Sequence, residues 1–427
     1  MIEEQYRSII SRRKSWEVFF FLLIFISGLS VRLLDLKDPP LDFAATRQLR
    51  SALIARGKYY QWNQDAPEWK REIAQKQGRH SMIEPTIMES LVAAGYWVLG
   101  REAVWIARIY SAVFWTLGGV ALYLLVREMV SRDGAVIALA YYMFNPFGLL
   151  ASRSFQPDPL MTALIVTAWW TYYRWAQRSS WKWALLSGLT AGSAMIVKST
   201  SVFFLLGGMT VLVLLNKDFR KTIKDPQVWV IAGMAGLPVL AYHLYGVFIV
   251  GTLGQQFQGR FFPEMLSTAV YYRRLKYAMT GVAGHELLFA LGILGLVHFR
   301  KKKELGFLAG IWIGYVLYVI VFTYHSTTHY YYHLPAIPLL AISLAGLAEW
   351  FFIKTQNLRL TRFLPIGLVL VVLFGLLGAS YLLGRDDYRH EPDFYHQVAN
   401  FVPRDSNKIV LSQDYGTRIF YYVWITP

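Results

Sequence analysis

Pro39-Pro40-Leu41-Asp42 follows shortly after the apolar run Val18 to Leu29, and Ser152-Arg153-Ser154-Phe155-Gln156-Pro157-Asp158 follows a later apolar run. Both segments end in a carboxylate placed where the chain leaves a hydrophobic stretch, and the spacing of the runs puts both at one membrane face. Ionisable groups are costly inside a bilayer, so a chain that returns them to one face reads as an enzyme or a carrier rather than a passive anchor.

The composition agrees with a membrane setting. The 427 residues are 55% hydrophobic and only 16% charged, against about 25% charged in ordinary soluble domains. The 15 Trp and 27 Tyr suit the two membrane–water interfaces. The net charge of +16 is the positive-inside bias summed over loops. Nucleic acid is not an expected partner, because Lys and Arg alternate with apolar spans instead of lining one face. The chain has no cysteine, which removes disulfides, a thiol nucleophile and thiolate metal sites.

Arg7, Arg12, Arg13 and Lys14 precede the first apolar run, and no convincing small-x-small cleavage site follows it. It reads as an uncleaved span with a cytoplasmic N-terminus. Further apolar runs fall near 103–126, 134–151, 159–175, 183–197, 200–215, 228–250, 286–299, 305–324, 334–353 and 363–383. Basic residues fill alternate gaps: Arg127 and Arg132; Arg174, Arg178 and Lys182; Lys217, Arg220, Lys221 and Lys224; Arg300 to Lys303; Lys354, Arg359 and Arg362. The expected fold is therefore all-α and polytopic, with about eleven transmembrane helices and an extracytoplasmic C-terminus. Residues 1–383 form the transmembrane domain, with outer loops at 35–102 and 251–285, and 384–427 form a short extracytoplasmic α/β tail.

Pro85 to Gly100 is short of the ~20 residues a span needs, and counting it as one would reverse every later loop. It is placed on the outer face. Leu41, Ala45, Leu49, Ala52 and Leu53 share a helical face with Arg47 and Arg50 off it, which predicts another interfacial helix. In the tail, Phe394 to Phe401 reads as helix and Lys408 to Ser412 as strand.

Asp42 precedes the predicted interfacial helix and has two readings, an N-cap or a functional carboxylate. Asp158 precedes Pro159, which favours the first turn of a helix, so it has the same two readings. Glu84 reads as a solvated loop acid, or as a group that orients a ligand or binds metal. Asp42, Asp158 and Glu84 are the candidate ligands for a divalent cation, which carboxylate oxygens would hold. His325, His329 and His333 recur every four residues, as metal-binding pairs on a helix do, although Pro335 and the aromatic run interrupt regular helix there. Lys198 ends an apolar run and reads as a snorkelling side chain or a partner for an anion. Arg260, Arg273 and Arg274 are interleaved with tyrosines, and arginine forks suit phosphate oxygens or anionic lipid.

The order of several segments resembles the C-type membrane glycosyltransferases. The likeness is greatest to the bacterial branch related to protein O-mannosyltransferases and the lipid A aminoarabinose transferase. The carrying segments are Pro40-Leu41-Asp42, Glu84-Pro85 leading to Tyr96-Trp97-Val98-Leu99-Gly100, and Ala107-Arg108-Ile109-Tyr110-Ser111-Ala112. They continue with Tyr123 to Arg127, Asn145-Pro146 to Asp158, Gly188 to Lys198, and His329-Tyr330-Tyr331-Tyr332-His333-Leu334-Pro335. Each motif alone is weak, but together they cover nearly the whole chain. Two departures stand out. Asp42 is followed by Phe43 where relatives commonly have Glu, and Ile83-Glu84-Pro85-Thr86 lacks the lysine of the common Glu-Lys-Pro-Pro.

The resemblance implies a glycosyltransferase that moves a sugar from a polyprenyl-phosphate donor to a lipid, glycan or protein acceptor at the extracytoplasmic face. It implies Asp42 as the main catalytic carboxylate and Asp158 as its partner. Glu84, Lys198, Arg260, Arg273, Arg274 and His329 are then the expected substrate-binding residues, His329 because it falls at the family's His-Tyr position. The expected setting is the plasma membrane. The alternative reading is a non-catalytic carrier or flippase for lipid-linked sugars, or an inactive assembly subunit; the nearly charge-free span centres favour the enzyme over a carrier.

Overall fold

The computed structural model describes residues 14–79, 84–251, 253–254, 260–299, 301–355, 363–385, 387–402 and 414–425. Helices α1 (Lys14–Arg32), α2 (Ala45–Trp62), α3 (Glu68–Gly78), α4 (Ile87–Leu99), α5 (Trp105–Met129), α6 (Arg132–Phe144) and α7 (Pro146–Ala151) open the chain. Then come α8 (Asp158–Arg178), α9 (Trp181–Val197), α10 (Val202–Asn216), α11 (Phe219–Lys224) and α12 (Pro226–Leu244). The second half holds α13 (Ala269–Ala283), α14 (Glu286–Leu296), α15 (Lys302–Val321), α16 (Thr323–Thr328), α17 (Ala336–Thr355), α18 (Leu364–Arg385), α19 (Glu391–Phe401) and α20 (Thr417–Val423). No strand occurs among the described residues. The strand expected at Lys408–Ser412 lies outside them, and the helix expected at Phe394–Phe401 is the greater part of α19.

Each of the eleven apolar runs coincides with a helix. Among the described residues 7 helices are long and apolar enough to cross a membrane unaided, and counting the bent pair α13–α14, which turns by 87°, as one span brings the number to 8. Helices α6 and α9 are shorter, with 13 and 17 residues. Helix α8 has 21 residues but carries Asp158, three threonines and three Trp within a mostly buried surface. Helices α6 and α8 are shielded by protein, so they need not be as lipid-compatible as the outer ones, whereas α9 exposes Trp181, Leu185 and Leu189 and is simply short. The count of eleven thus goes beyond what helix length and composition establish.

The bundle packs through close backbone approach. A Cβ at Gly207, Gly310 or Gly314 would overlap the facing backbone where α10 meets α15, the small-residue contact typical of membrane helices. Trp115 of α5 and Tyr142 of α6 stack at 4.2 Å and are fully buried. Helices α2, α3 and α4 form a layer at one end of the bundle. Within it Leu49, Ala52 and Leu53 of α2 point inward as the periodicity predicted, and α4 spans 13 residues, too few to cross a bilayer. Segment 414–425 docks on this layer. Gln77 donates to the carbonyls of Phe420 and Ile425 at 2.7 and 2.8 Å, and the Arg56 guanidinium lies 4.2 and 4.1 Å from the rings of Tyr421 and Trp424.

Candidate active site

The two acidic motifs meet. Arg32, in the last turn of α1, donates to Ser152 at 2.7 Å, and Arg153 donates to the Asp35 carbonyl at 2.8 Å. Gln48 of α2 clasps both segments: its amide nitrogen donates to Asp42 at 3.2 Å and to the Phe43 carbonyl at 2.7 Å. Its amide oxygen accepts from the Phe155 backbone at 2.9 Å. Burial beside Arg108 lowers Arg153 to about 10.

Asp42 is not a helix cap. The N-cap of α2 is Ala44, with no side-chain cap bond. Instead Arg108, 1% exposed, grips Asp42 with both terminal nitrogens at 3.0 and 3.1 Å. With the Gln48 bond, Asp42 accepts three N–H groups of the roughly four acceptor positions a carboxylate offers. One position remains. The loop then turns sharply: Ala44 has φ 46° and ψ 56°, a left-handed conformation that strains a non-glycine residue. Phe43, Ala44 and Ala45 thereby line a cavity of about 740 Å³. Asp42 itself borders a much smaller cleft with Asp35, Asp38, Arg108 and Arg153.

Asp158 begins α8 without capping it. Its Oδ1 accepts from Lys198 at 2.8 Å, and both side chains are buried; its Oδ2 is buried with no partner among the described residues. Lys198 does not snorkel. Its ammonium faces the ring of Tyr332 at 4.2 Å, and it lines the 740 Å³ cavity. Burial pulls the Lys198 ammonium down, but Asp158, Tyr332 and Glu84 outweigh this and hold it above the ordinary lysine value.

Glu84 is not a solvated acid. Arg47 contacts both of its carboxylate oxygens at 3.0 Å. Burial pushes the Glu84 carboxyl up, and Arg47, Lys198 and Arg50 together overcome that and hold it low. Arg47, Arg50 and Glu84 stand between two cavities. The larger has Lys198, Phe147, His325, His329 and Tyr330 to Tyr332 on its walls. The smaller, about 290 Å³, is lined by Lys58, Arg79 and Glu89 among others. Tyr415 and Thr417 of the docked tail close part of the larger cavity.

The histidines divide. His333 is fully buried and held between Tyr315 and the Ser326 carbonyl, each at 2.7 Å, so it belongs to the core. His325 and His329 face the cavity with their rings 5.1 Å apart. Burial and the charges of His329, Arg260 and Lys198 take His325 down to about 4, and burial beside Lys198 also lowers His329.

The remaining expectations are placed as follows. Arg260 lies 5.8 Å from the Phe322 ring, close enough to act on His325, while Arg273 and Arg274 are exposed on α13 and do not line the cavity. Asp42, Asp158 and Glu84 do not form a cation site: each is matched by its own Arg108, Lys198 or Arg47. No metal-capable group of three His, Asp or Glu side chains occurs among the described residues. Sequence reasoning missed Arg47, Arg50 and Arg108. The available signal was a pair of arginines opposite the apolar face of α2 and a lone arginine among the small and apolar residues of α5.

The apolar helices and the fold together give an integral, multi-pass membrane protein whose fold is that of the C-type membrane glycosyltransferases. Residues 84–245 match the model of the dolichyl-phosphate-mannose-protein mannosyltransferase family. Among solved structures the chain is similar to ArnT from Cupriavidus metallidurans bound to undecaprenyl phosphate, with a TM-score of 0.65 and 14% identity over 97% of this chain and 85% of that one. The apo state of the same protein gives a TM-score of 0.64. It is also similar to the archaeal oligosaccharyltransferase AglB from Archaeoglobus fulgidus in complex with an inhibitory peptide and a dolichol-phosphate. There the TM-score is 0.55 and the identity 15%, over 97% of this chain and 64% of that one. No curated protein sequence matches the chain.

Proposed function

We propose that this protein transfers a sugar from a polyprenyl-phosphate donor to a lipid, glycan or protein acceptor. The observation that carries the reading is the 740 Å³ cavity, in which Arg47, Arg50 and Lys198 face an aromatic wall of Phe43, Phe147 and Tyr330 to Tyr332. The cations suit the donor phosphate, and the aromatic wall suits the apolar remainder. The solved ArnT complex holds undecaprenyl phosphate, which supports this donor class.

In the proposed reaction the acceptor hydroxyl attacks the anomeric carbon, the bond from that carbon to the phosphate oxygen breaks, and polyprenyl phosphate leaves. Asp42 takes the hydroxyl proton through its remaining acceptor position, Arg108 positions it, and Lys198, Arg47 and Arg50 stabilise the leaving phosphate. Asp158 acts through Lys198. Glu84 orders Arg47, and His329 faces the bound donor. Arg260 acts on the site through His325, and Arg273 and Arg274 serve as contacts for anionic lipid. The carboxylates do not fit a shared cation, so no step runs through one.

The site face is read as extracytoplasmic, in the plasma membrane, with a cytoplasmic N-terminus. Residues 1–383 form the membrane domain and 384–427 the tail. One observation favours the inactive-subunit alternative: Asp42 borders the small cleft rather than the large cavity. Purified protein in lipid, given a panel of radiolabelled polyprenyl-phosphate sugars, tests the proposal. Transfer or slow donor hydrolysis is expected. Failure to bind any donor refutes it, and binding without turnover favours the subunit reading.

A further inference from the structure

The end of the bundle opposite the active site carries a second constellation. Helix α8 runs from Asp158 at the site to Arg178 at the far end, and α15 starts there with Lys302 and returns to the site face at Val321. Between these ends lies an open cavity of about 560 Å³. Five cations line it, Arg174, Arg178 and Lys301 to Lys303, against the two carboxylates Glu128 and Glu304.

Both carboxylates are already engaged. Arg174 binds Glu128 at 2.5 Å, and Glu304, itself buried, accepts the Tyr173 hydroxyl at 2.9 Å. Lys303 donates to Asn216 at 2.7 Å. Arg178, Lys301 and Lys302 are exposed and have no polar partner among the described residues. Three like charges held around one concavity repel one another, and the opening of α15 adds its positive dipole end to them. The cavity therefore has a standing surplus of positive charge that no side chain on its walls offsets.

Its surroundings point to the source of the missing anion. Trp170 and Trp183 flank Arg174 at 5.8 and 5.3 Å, and Lys182 lies over Trp183 at 5.9 Å. Tryptophan beside Arg and Lys at a helix end is the interfacial arrangement that sits at headgroup depth. From this geometry we infer that the cavity between the C-terminal end of α8 and the start of α15 binds the phosphate of an anionic phospholipid headgroup. Arg178, Lys301 and Lys302 provide the contacts, and Trp170 and Trp183 set the depth. The site is separate from the donor cavity and does not depend on the transferase reading.

The test is native mass spectrometry of the full chain titrated with phosphatidylglycerol, phosphatidylcholine and inorganic phosphate. The expected result is a retained phosphatidylglycerol adduct that phosphatidylcholine does not give. Its apparent affinity should fall roughly tenfold or more in R178Q/K301Q/K302Q, since each nearby cation strengthens attraction to anionic lipid appreciably. R178K/K301R/K302R should keep the adduct, and single Gln substitutions should each weaken it in part, so the inference stays testable if the triple variant fails to fold. Equal retention of the two lipids, or single Gln variants that all bind like the parent, overturns the inference. Displacement of phosphatidylglycerol by inorganic phosphate at similar concentration overturns the assignment to a lipid.

Discussion

Replacing Lys198 with Met removes one partner of a buried ion pair whose side chains are 6% and 1% exposed and 2.8 Å apart. The Asp158 carboxylate then loses its only described polar bond, because Oδ2 already has none. Breaking a buried pair from one side costs about 3–5 kcal/mol. Replacing both partners by apolar groups of similar size is often close to neutral. K198M/D158L should therefore recover most of the stability that K198M loses, as measured by reversible denaturant unfolding in lipid. Donor binding should not recover with it. A charge-assisted hydrogen bond contributes about 1.5–3 kcal/mol, so the stable double variant should bind a polyprenyl-phosphate sugar roughly 10- to 150-fold more weakly. A loss below about 1 kcal/mol in K198M would refute the claim that this pair is buried and dry. Native donor affinity in the double variant would refute the placement of the phosphate at Lys198.

Other consequences are equally direct. R108Q should cost about 3 kcal/mol or more by leaving Asp42 uncompensated; thermal melts should also show R108K intermediate, since lysine keeps the charge but not the two-pronged grip. Burial holds His325 and His333 at about 4, below the ordinary 6.5, so unfolding takes up protons below that value. Stability should be complete above pH 6.5 and decline as the pH falls toward 4, and a pH series of melting temperatures should show the decline reduced in H325F. Q77L removes two hydrogen bonds that hold the 414–425 segment and should hasten limited proteolysis there without unfolding the bundle. A44G should relieve the left-handed strain and raise stability by about 1 kcal/mol, read as a higher denaturation midpoint.

Much of the architecture was legible because hydrophobic runs must be helical in a bilayer. The helices at the apolar runs, the buried face of α2 and the short α4 all follow from periodicity and length. The count of spans was not, because α6 and α8 are shielded by neighbouring helices and escape the length and composition that lipid demands, and α9 is short. The site was legible as residue types more than as pairings. Asp42, Glu84, Asp158 and Lys198 do gather at one end, but their partners sit far away in sequence: Arg108 is 66 residues from Asp42 and Lys198 is 40 from Asp158. Such pairings depend on tertiary packing, and no local pattern encodes them. The cap readings of Asp42 and Asp158 and the solvated reading of Glu84 failed for the same reason, since each carboxylate found a buried cation instead. Arg273 and Arg274 differ in the opposite sense: their interleaving with tyrosine describes an exposed helix face away from the cavity.

The most direct measurement compares the native chain, D42N and E84Q in lipid with a radiolabelled polyprenyl-phosphate sugar, following binding and turnover separately. If Asp42 is the base, D42N binds the donor and its transfer or donor hydrolysis falls by roughly 10²-fold or more, while E84Q, which loosens Arg47, loses mainly affinity. Turnover in D42N equal to that of the native chain would contradict that assignment.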